Sequence, residues 1–205
     1  MKKQIPVHNQ ILKYPSQIVT FKQLKNHLIL WLLRLFNLFF PRRFIFNPEA
    51  PKILLVATTA LGDSIWLTPL LPAIKKRYPF SYVAVLCSPL GQPVFLNQPG
   101  VDELFVLKGH SSWSILKWVP TLRRRRFQAT LLSHASQRMI PALIFLTGAQ
   151  QRIAINNRSC KGLENLMTVF DKTSLEQIHT VEAKFILAHH LDIPRPRSPR
   201  LGQVS

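Results

Sequence analysis

Acidic residues are scarce in this chain: nine Asp and Glu stand against 27 Lys and Arg, a formal net charge of +18 over 205 residues. Such a surplus favours polyanionic partners, whether nucleic acid, acidic lipid or phosphorylated sugars and nucleotides. Cysteine is scarcer still. Cys87 and Cys160 alone exclude a disulfide framework and a four-cysteine zinc site, and they fit a reducing compartment. Glycine is sparse as well, seven in all. Gly62 therefore stands without the companion glycines of a dinucleotide fingerprint, and no Gly-Lys-Ser/Thr of a P-loop follows it. The opening Met-Lys-Lys-Gln-Ile-Pro lacks the apolar run and small-residue cleavage site of a secretory signal. A cytoplasmic location is expected.

What is present is apolar and ordered. Hydrophobic residues make up 47% and charged residues 18%, so the chain has the means to build a core. The charge is uneven along it. Residues 1–49 carry eight basic residues and one acid, residues 50–107 four and three, and residues 108–205 fifteen and five. The balanced middle stretch also has the clearest strand signals. Three regions are expected: a basic extension over 1–49, an α/β lobe over 50–193, and a disordered Pro/Arg tail over 194–205.

Within the extension, Leu24–Phe40 is the most apolar segment. It is near the lower length limit for a membrane span and is interrupted by Lys25, His27, Arg34 and Asn37. At helical spacing Trp31, Leu32, Leu35, Phe36 and Phe39 share an apolar sector, with cations toward polar surfaces. That pattern reads as a helix lying in a membrane interface or as a helix packed on the lobe; Pro41 ends it in either case.

From Pro51 the pattern changes. Strands are expected at Lys52–Thr58, Tyr82–Cys87, Glu103–Leu107, Ala129–His134 and Arg152–Ile155. Helical segments fall after the turn Thr59-Ala60-Leu61-Gly62-Asp63, ending at Lys75-Lys76-Arg77, and near Pro89–Leu96, Trp113–Arg125, Gln137–Leu146 and Ile178–Leu191. This alternation implies a Rossmann-like parallel sheet with helices on both faces. In such sheets ligands bind beyond the carboxyl ends of the strands. The first such end is Thr58-Thr59-Ala60-Leu61-Gly62-Asp63-Ser64. There Gly62 would permit a tight turn and close approach of a ligand. Asp63 would sit at the helix opening, either as an ionised base for a hydroxyl proton or as the helix cap.

The segment ILLVATTALGDSIWLTPLLPAIKKRYP resembles the opening of the glycosyltransferase family 9 heptosyltransferases. Three later stretches follow in the same order: Gln98-Pro99-Gly100-Val101-Asp102-Glu103, Arg126-Phe127-Gln128-Ala129-Thr130-Leu131-Leu132, and Gln137-Arg138 through Thr147-Gly148-Ala149-Gln150-Gln151-Arg152-Ile153-Ala154. Together they cover about residues 52–156. The resemblance implies a GT-B enzyme that inverts the sugar as it moves heptose from ADP-heptose to the lipopolysaccharide inner core. It makes Asp63 the general base, with Thr58, Thr59 and Gly62 shaping the acceptor turn and Arg138 facing an anionic acceptor. ADP-heptose enters as donor substrate; no cofactor and no metal are implied. IHTVEAKFILAHHLDI resembles the helix that leads toward a second lobe. About fifty residues follow Ile155, where a second α/β lobe needs on the order of 150. The expectation is therefore an acceptor lobe alone, peripheral at the inner face of the cytoplasmic membrane, with a separate donor-lobe chain as a candidate partner. The alternative is a non-catalytic, membrane-associated module for anionic lipid or glycolipid.

Other features lead to less. Arg123–Arg126 reads as a helix end that complements the dipole, or as a contact for lipid phosphates. No helix-turn-helix, zinc-finger or RNP pattern accompanies the charge, so no specific nucleic acid is expected. His189 and His190, adjacent on a helix, point in different directions and make a poor metal site. Cys87 is expected in the core, and Cys160 in a polar loop.

Overall fold

The computed structural model describes residues 31, 35, 44–109, 111–156, 158–173 and 180–194. Most of the expected apolar helix Leu24–Phe40 and the tail from residue 195 lie outside the described residues. Trp31 and Leu35 are helical and exposed. Among the described residues no helix is long and apolar enough to cross a membrane.

Six strands form one parallel sheet: β1 (Lys52–Ala57), β2 (Tyr82–Cys87), β3 (Glu103–Val106), β4 (Ala129–His134), β5 (Gln151–Ile155) and β6 (Val169–Asp171), in the order β3-β2-β1-β4-β5-β6. The helices are α1 (Leu61–Ile65), α2 (Leu70–Arg77), α3 (Gln92–Phe95), α4 (Ser112–Leu116), α5 (Val119–Arg125), α6 (Met139–Leu146) and α7 (Thr180–His189). The fold is a Rossmann-like α/β sheet covered on both sides, as the alternation of strands and helices implies.

Two-sided burial explains the unbroken apolar strands. Successive side chains of a strand point to opposite faces. Ile53, Leu55 and Ala57 of β1, Val83, Val85 and Cys87 of β2, and Ile153 and Ile155 of β5 share one core with Leu70, Leu71 and Ile74 of α2 and Ala183, Phe185, Leu187 and Ala188 of α7. Leu54, Val56, Ala84, Leu86, Leu132 and Ala154 point the other way, onto Ile115, Leu122 and the Ile140, Leu143 and Ile144 face of α6. Cys160 is buried in this second core, in a 3-10 turn at Arg158–Cys160. The expected polar loop is thus a core position, because the thiol packs as a small apolar group.

The single helical run expected up to Arg77 is two helices. Pro69 has no N–H to give the Ile65 carbonyl, and Thr68 serves that carbonyl instead, through its N–H at 3.1 Å and its hydroxyl at 2.8 Å. A second proline, Pro120, stands near the start of α5, and the run expected over Trp113–Arg125 is likewise divided into α4 and α5.

The chain order reverses between β1 and β4, the two central strands, and the crevice beyond their carboxyl ends is the switch point of the sheet. An irregularity falls there. Val56 pairs with Leu132, but Ala57 pairs with His134. Ser133 is the extra residue of a bulge, which turns His134 to the α7 side of the sheet, the side that Ala57 faces.

Candidate functional site

Asp63 lies in the first turn of α1, immediately beyond β1. It is not the helix cap. Ala60 holds that position, without a side-chain cap bond, and the carboxylate turns back onto Thr59, whose hydroxyl donates to Oδ2 at 2.5 Å. Thr59 is held in turn by Ser88, whose hydroxyl donates to the Thr59 carbonyl at 2.8 Å. Thr58 is buried, and its hydroxyl accepts the Ser136 N–H at 3.3 Å, tying the end of β1 to the loop after β4. Gly62 is helical and has no positive φ. A Cβ there would meet only the Trp66 ring, at 3.8 and 3.9 Å. The turn therefore does not require glycine for its backbone, contrary to the expectation from sequence.

Two residues that sequence reasoning did not single out complete the cluster. Lys184 of α7 is 1% exposed, and its Nζ lies 2.7 Å from His134 Nδ1 and 3.8 Å from Asp63 Oδ1. Burial pushes this ammonium down to about 8, against a smaller upward pull from Asp63. His134 Nδ1 lies 3.4 Å from Asp63 Oδ1, but that approach is not an ion pair at neutral pH. Burial first, and then the Lys184 charge, hold the imidazole below its ordinary value, while Asp63 acts the other way. Among the described residues, the cation against the carboxylate is Lys184. A signal for His134 existed in its place at the carboxyl end of a central strand. For Lys184 the signal was a lone cation inside the apolar run Ala-Lys-Phe-Ile-Leu-Ala.

Arg138 is exposed at the start of α6, and its Nη2 donates to the Lys161 carbonyl at 2.7 Å. It stands beyond the end of β4, on the same edge of the sheet as Asp63, but its described contact runs to the Lys161 loop. The other quoted motifs are structural. Asp102 Oδ2 accepts the Val83 N–H at 2.6 Å and Lys75 Nζ at 2.7 Å. Glu103 accepts the Tyr82 hydroxyl at 2.6 Å and pairs with Arg125. Gln128 and Gln150 receive backbone N–H groups of Asn47, Lys52 and Phe46. Arg152 is buried with its guanidinium on the carbonyls of Ala149 and Leu166. All of these serve the sheet away from the crevice. Within the arginine run, Arg123 reaches the Leu146 carbonyl at 2.9 Å, and Arg126 closes α5 in the left-handed conformation. Among the described residues no group of His, Cys, Asp and Glu could hold a metal.

In backbone course the chain is similar to a glycosyltransferase family 9 protein from Veillonella parvula, with a TM-score of 0.63 at 18% identity over 73% of this chain and 44% of that one. The fold is that of glycosyltransferase family 9 structures. The ADP-heptose lipopolysaccharide heptosyltransferase II of E. coli aligns at 0.58 and 20% identity, over 71% of this chain and 44% of that one. E. coli heptosyltransferase WaaC with ADP-2-deoxy-2-fluoro heptose aligns at 0.58 and 13% identity, over 72% and 50%. The chain thus spans half or less of the length of these structures. No family model and no curated protein matches it in sequence.

Proposed function

We propose that this chain is the acceptor-binding, N-terminal lobe of an inverting, heptosyltransferase-like glycosyltransferase, with Asp63 as general base. The observation that carries the reading is the place of Asp63: a half-buried carboxylate at the switch point, with Oδ2 held by Thr59 and Lys184 behind it. Among the described residues its Oδ1 has only the longer approaches of 3.4 and 3.8 Å, and a carboxylate has lone pairs to spare for an acceptor hydroxyl. As that hydroxyl oxygen bonds to the anomeric carbon, its proton passes to Asp63. The bond from that carbon to the diphosphate breaks with its electron pair, and the configuration inverts. The donor is read as ADP-heptose, carried by a second lobe, and the acceptor as the anionic lipopolysaccharide core at the cytoplasmic membrane face.

The test is a titration of the purified chain with core oligosaccharide, followed by heptose transfer from ADP-heptose with a donor-binding lobe supplied. Saturable acceptor binding is expected, and Asp63→Asn should leave it within about threefold while lowering transfer by about 10²–10⁴-fold. Near-normal turnover by that variant, or no acceptor binding by the native chain, overturns the reading. A second reading, a non-catalytic module for anionic lipid or glycolipid, is favoured by one observation. Leu61, Ile65 and Trp66 after β1, Leu90 after β2 and Trp113 after β3 are all exposed large apolar residues. On that reading glycolipid binding remains and no transfer accompanies it.

A further inference from the structure

Lys184 and His134 form a contact whose proton arrangement follows from the charge on the lysine. A lysine ammonium has donors and no acceptor. In that protonated form, held below about pH 8, Lys184 donates a hydrogen bond at 2.7 Å to the lone pair of His134 Nδ1. Nδ1 then carries no proton of its own, and the neutral ring holds its single N–H at Nε2. The Asp63 carboxylate 3.4 Å from Nδ1 cannot receive a proton from it in this state; both accept toward the same ammonium. No other charge competes for that ammonium among the described residues. Beyond Asp63 and His134, β5 turns Ile153 and Ile155 toward α7, and Arg77 of α2 lies at the far end, on the Asp192 carbonyl at 3.2 Å. The ring is not sealed: its side chain is 24% exposed, beside the 16% exposed carboxylate of Asp63. The described polar contacts of the imidazole, including Ser133 Oγ at 3.3 Å, all involve Nδ1.

We infer that His134 is an acceptor-binding residue that offers an Nε2–H donor beside Asp63, and that Lys184 is the positioning residue that fixes this tautomer. The acceptor part rests on the function proposed above; the tautomer part does not. Three features of the fold cooperate. The bulge at Ser133 turns the ring to the α7 side. The apolar surface of α7 excludes water from the ammonium. Asp63 keeps a cation in place at that depth. A sugar hydroxyl that bonds to Asp63 as donor would then find, one group away, a donor suited to a ring oxygen, a second hydroxyl oxygen or a carboxylate oxygen of the same acceptor. Held on two points, the reacting hydroxyl is oriented as well as deprotonated.

The first experiment is ¹⁵N NMR of the histidine side chains in the full-length chain near pH 7, with His134 assigned by the signal lost in His134→Gln. The expected spectrum has an unprotonated, pyridine-type Nδ1 and a protonated, pyrrole-type Nε2. Lys184→Met should move the proton toward Nδ1, where Asp63 can accept it, and Lys184→Arg should restore the native pattern. A native ring protonated at Nδ1, or an imidazolium, overturns the arrangement. So does a tautomer unchanged in Lys184→Met. The second experiment measures core-oligosaccharide affinity. His134→Phe should weaken it about tenfold, the loss of one hydrogen bond. His134→Gln keeps an N–H donor of similar reach and should stay within about threefold. Equal affinity of the native chain and His134→Phe overturns the acceptor role, and unchanged melting of the variants excludes loss of fold as the cause. Failure of the native chain to bind at all refutes the acceptor lobe, and the role of His134 with it, while the NMR result still decides the Lys184 contact.

Discussion

At the residue scale, a lysine enclosed by α7 and the sheet opposes folding at neutral pH. The unfolded side chain keeps its proton up to an ordinary value of 10.5, whereas the folded one gives it up at about 8. Between those values the unfolded chain binds more protons, so this group makes the fold more stable as pH rises; below about 8 the whole penalty is present. The shift corresponds to at most about 3 kcal/mol. Lys184→Met should therefore raise resistance to urea at pH 7, and the advantage over the native chain should shrink as pH climbs toward 10. Cys87, whose thiol burial pushes up to about 11, acts in the opposite sense above pH 9 in both proteins. Comparing the two variants at each pH cancels it. A loss of stability in Lys184→Met at pH 7 would show that the ammonium holds the fold together. The same residue marks the limit of reading a site from one sequence. Asp63 was legible because its position follows from a local pattern, a strand end and a helix start. His134 and Lys184, fifty residues apart, meet only through the bulge and the packing of α7, and no local spacing encodes either.

At the scale of elements, α1 and α3 meet with no tolerance. A Cβ on Gly91 would lie 2.4 Å from Ser64 Oγ and 3.3 Å from Ser64 Cβ, and Ser64 is fully buried. Gly91→Ala should cost about 1–3 kcal/mol of stability, and Ser64→Ala in that background should recover part of it. A double-mutant cycle by chemical denaturation reads the coupling directly, and simple additivity would place the strain elsewhere. Because α1 carries Asp63, the same variant should loosen the site. Elements differed in how plainly the sequence announced them. Five strands were legible as apolar runs because both faces of the sheet are covered. β6 was not: three half-buried residues in a polar stretch, paired on one side only, leave no period to detect. The split between α1 and α2 was written in Pro69, whose missing N–H counts for more than the helical spacing around it.

At the scale of the whole molecule, the surplus of basic residues predicts contacts that fade with ionic strength. Flotation of the chain with anionic vesicles should be strong at low salt and weaken steeply by a few hundred millimolar, as surface charges are screened within about 10 Å at 0.1 M. Deleting residues 1–49 should remove most of the flotation if the apolar, basic extension is the anchor. Unchanged flotation of the shortened chain would shift that role to the lobe. Charge was readable from composition, and the α/β class from the alternation of strand and helix segments along the chain. The order of strands was not, since it depends on which parallel neighbours the chain returns to across long connections. Finally, the two thiols divide between the layers: Cys87 belongs to the layer under α2 and α7, Cys160 to the one under α6. Each layer thus carries its own built-in reporter. The rates at which a thiol reagent labels the two positions would time the opening of each side of the sheet separately, and would reveal whether one yields while the other stays closed.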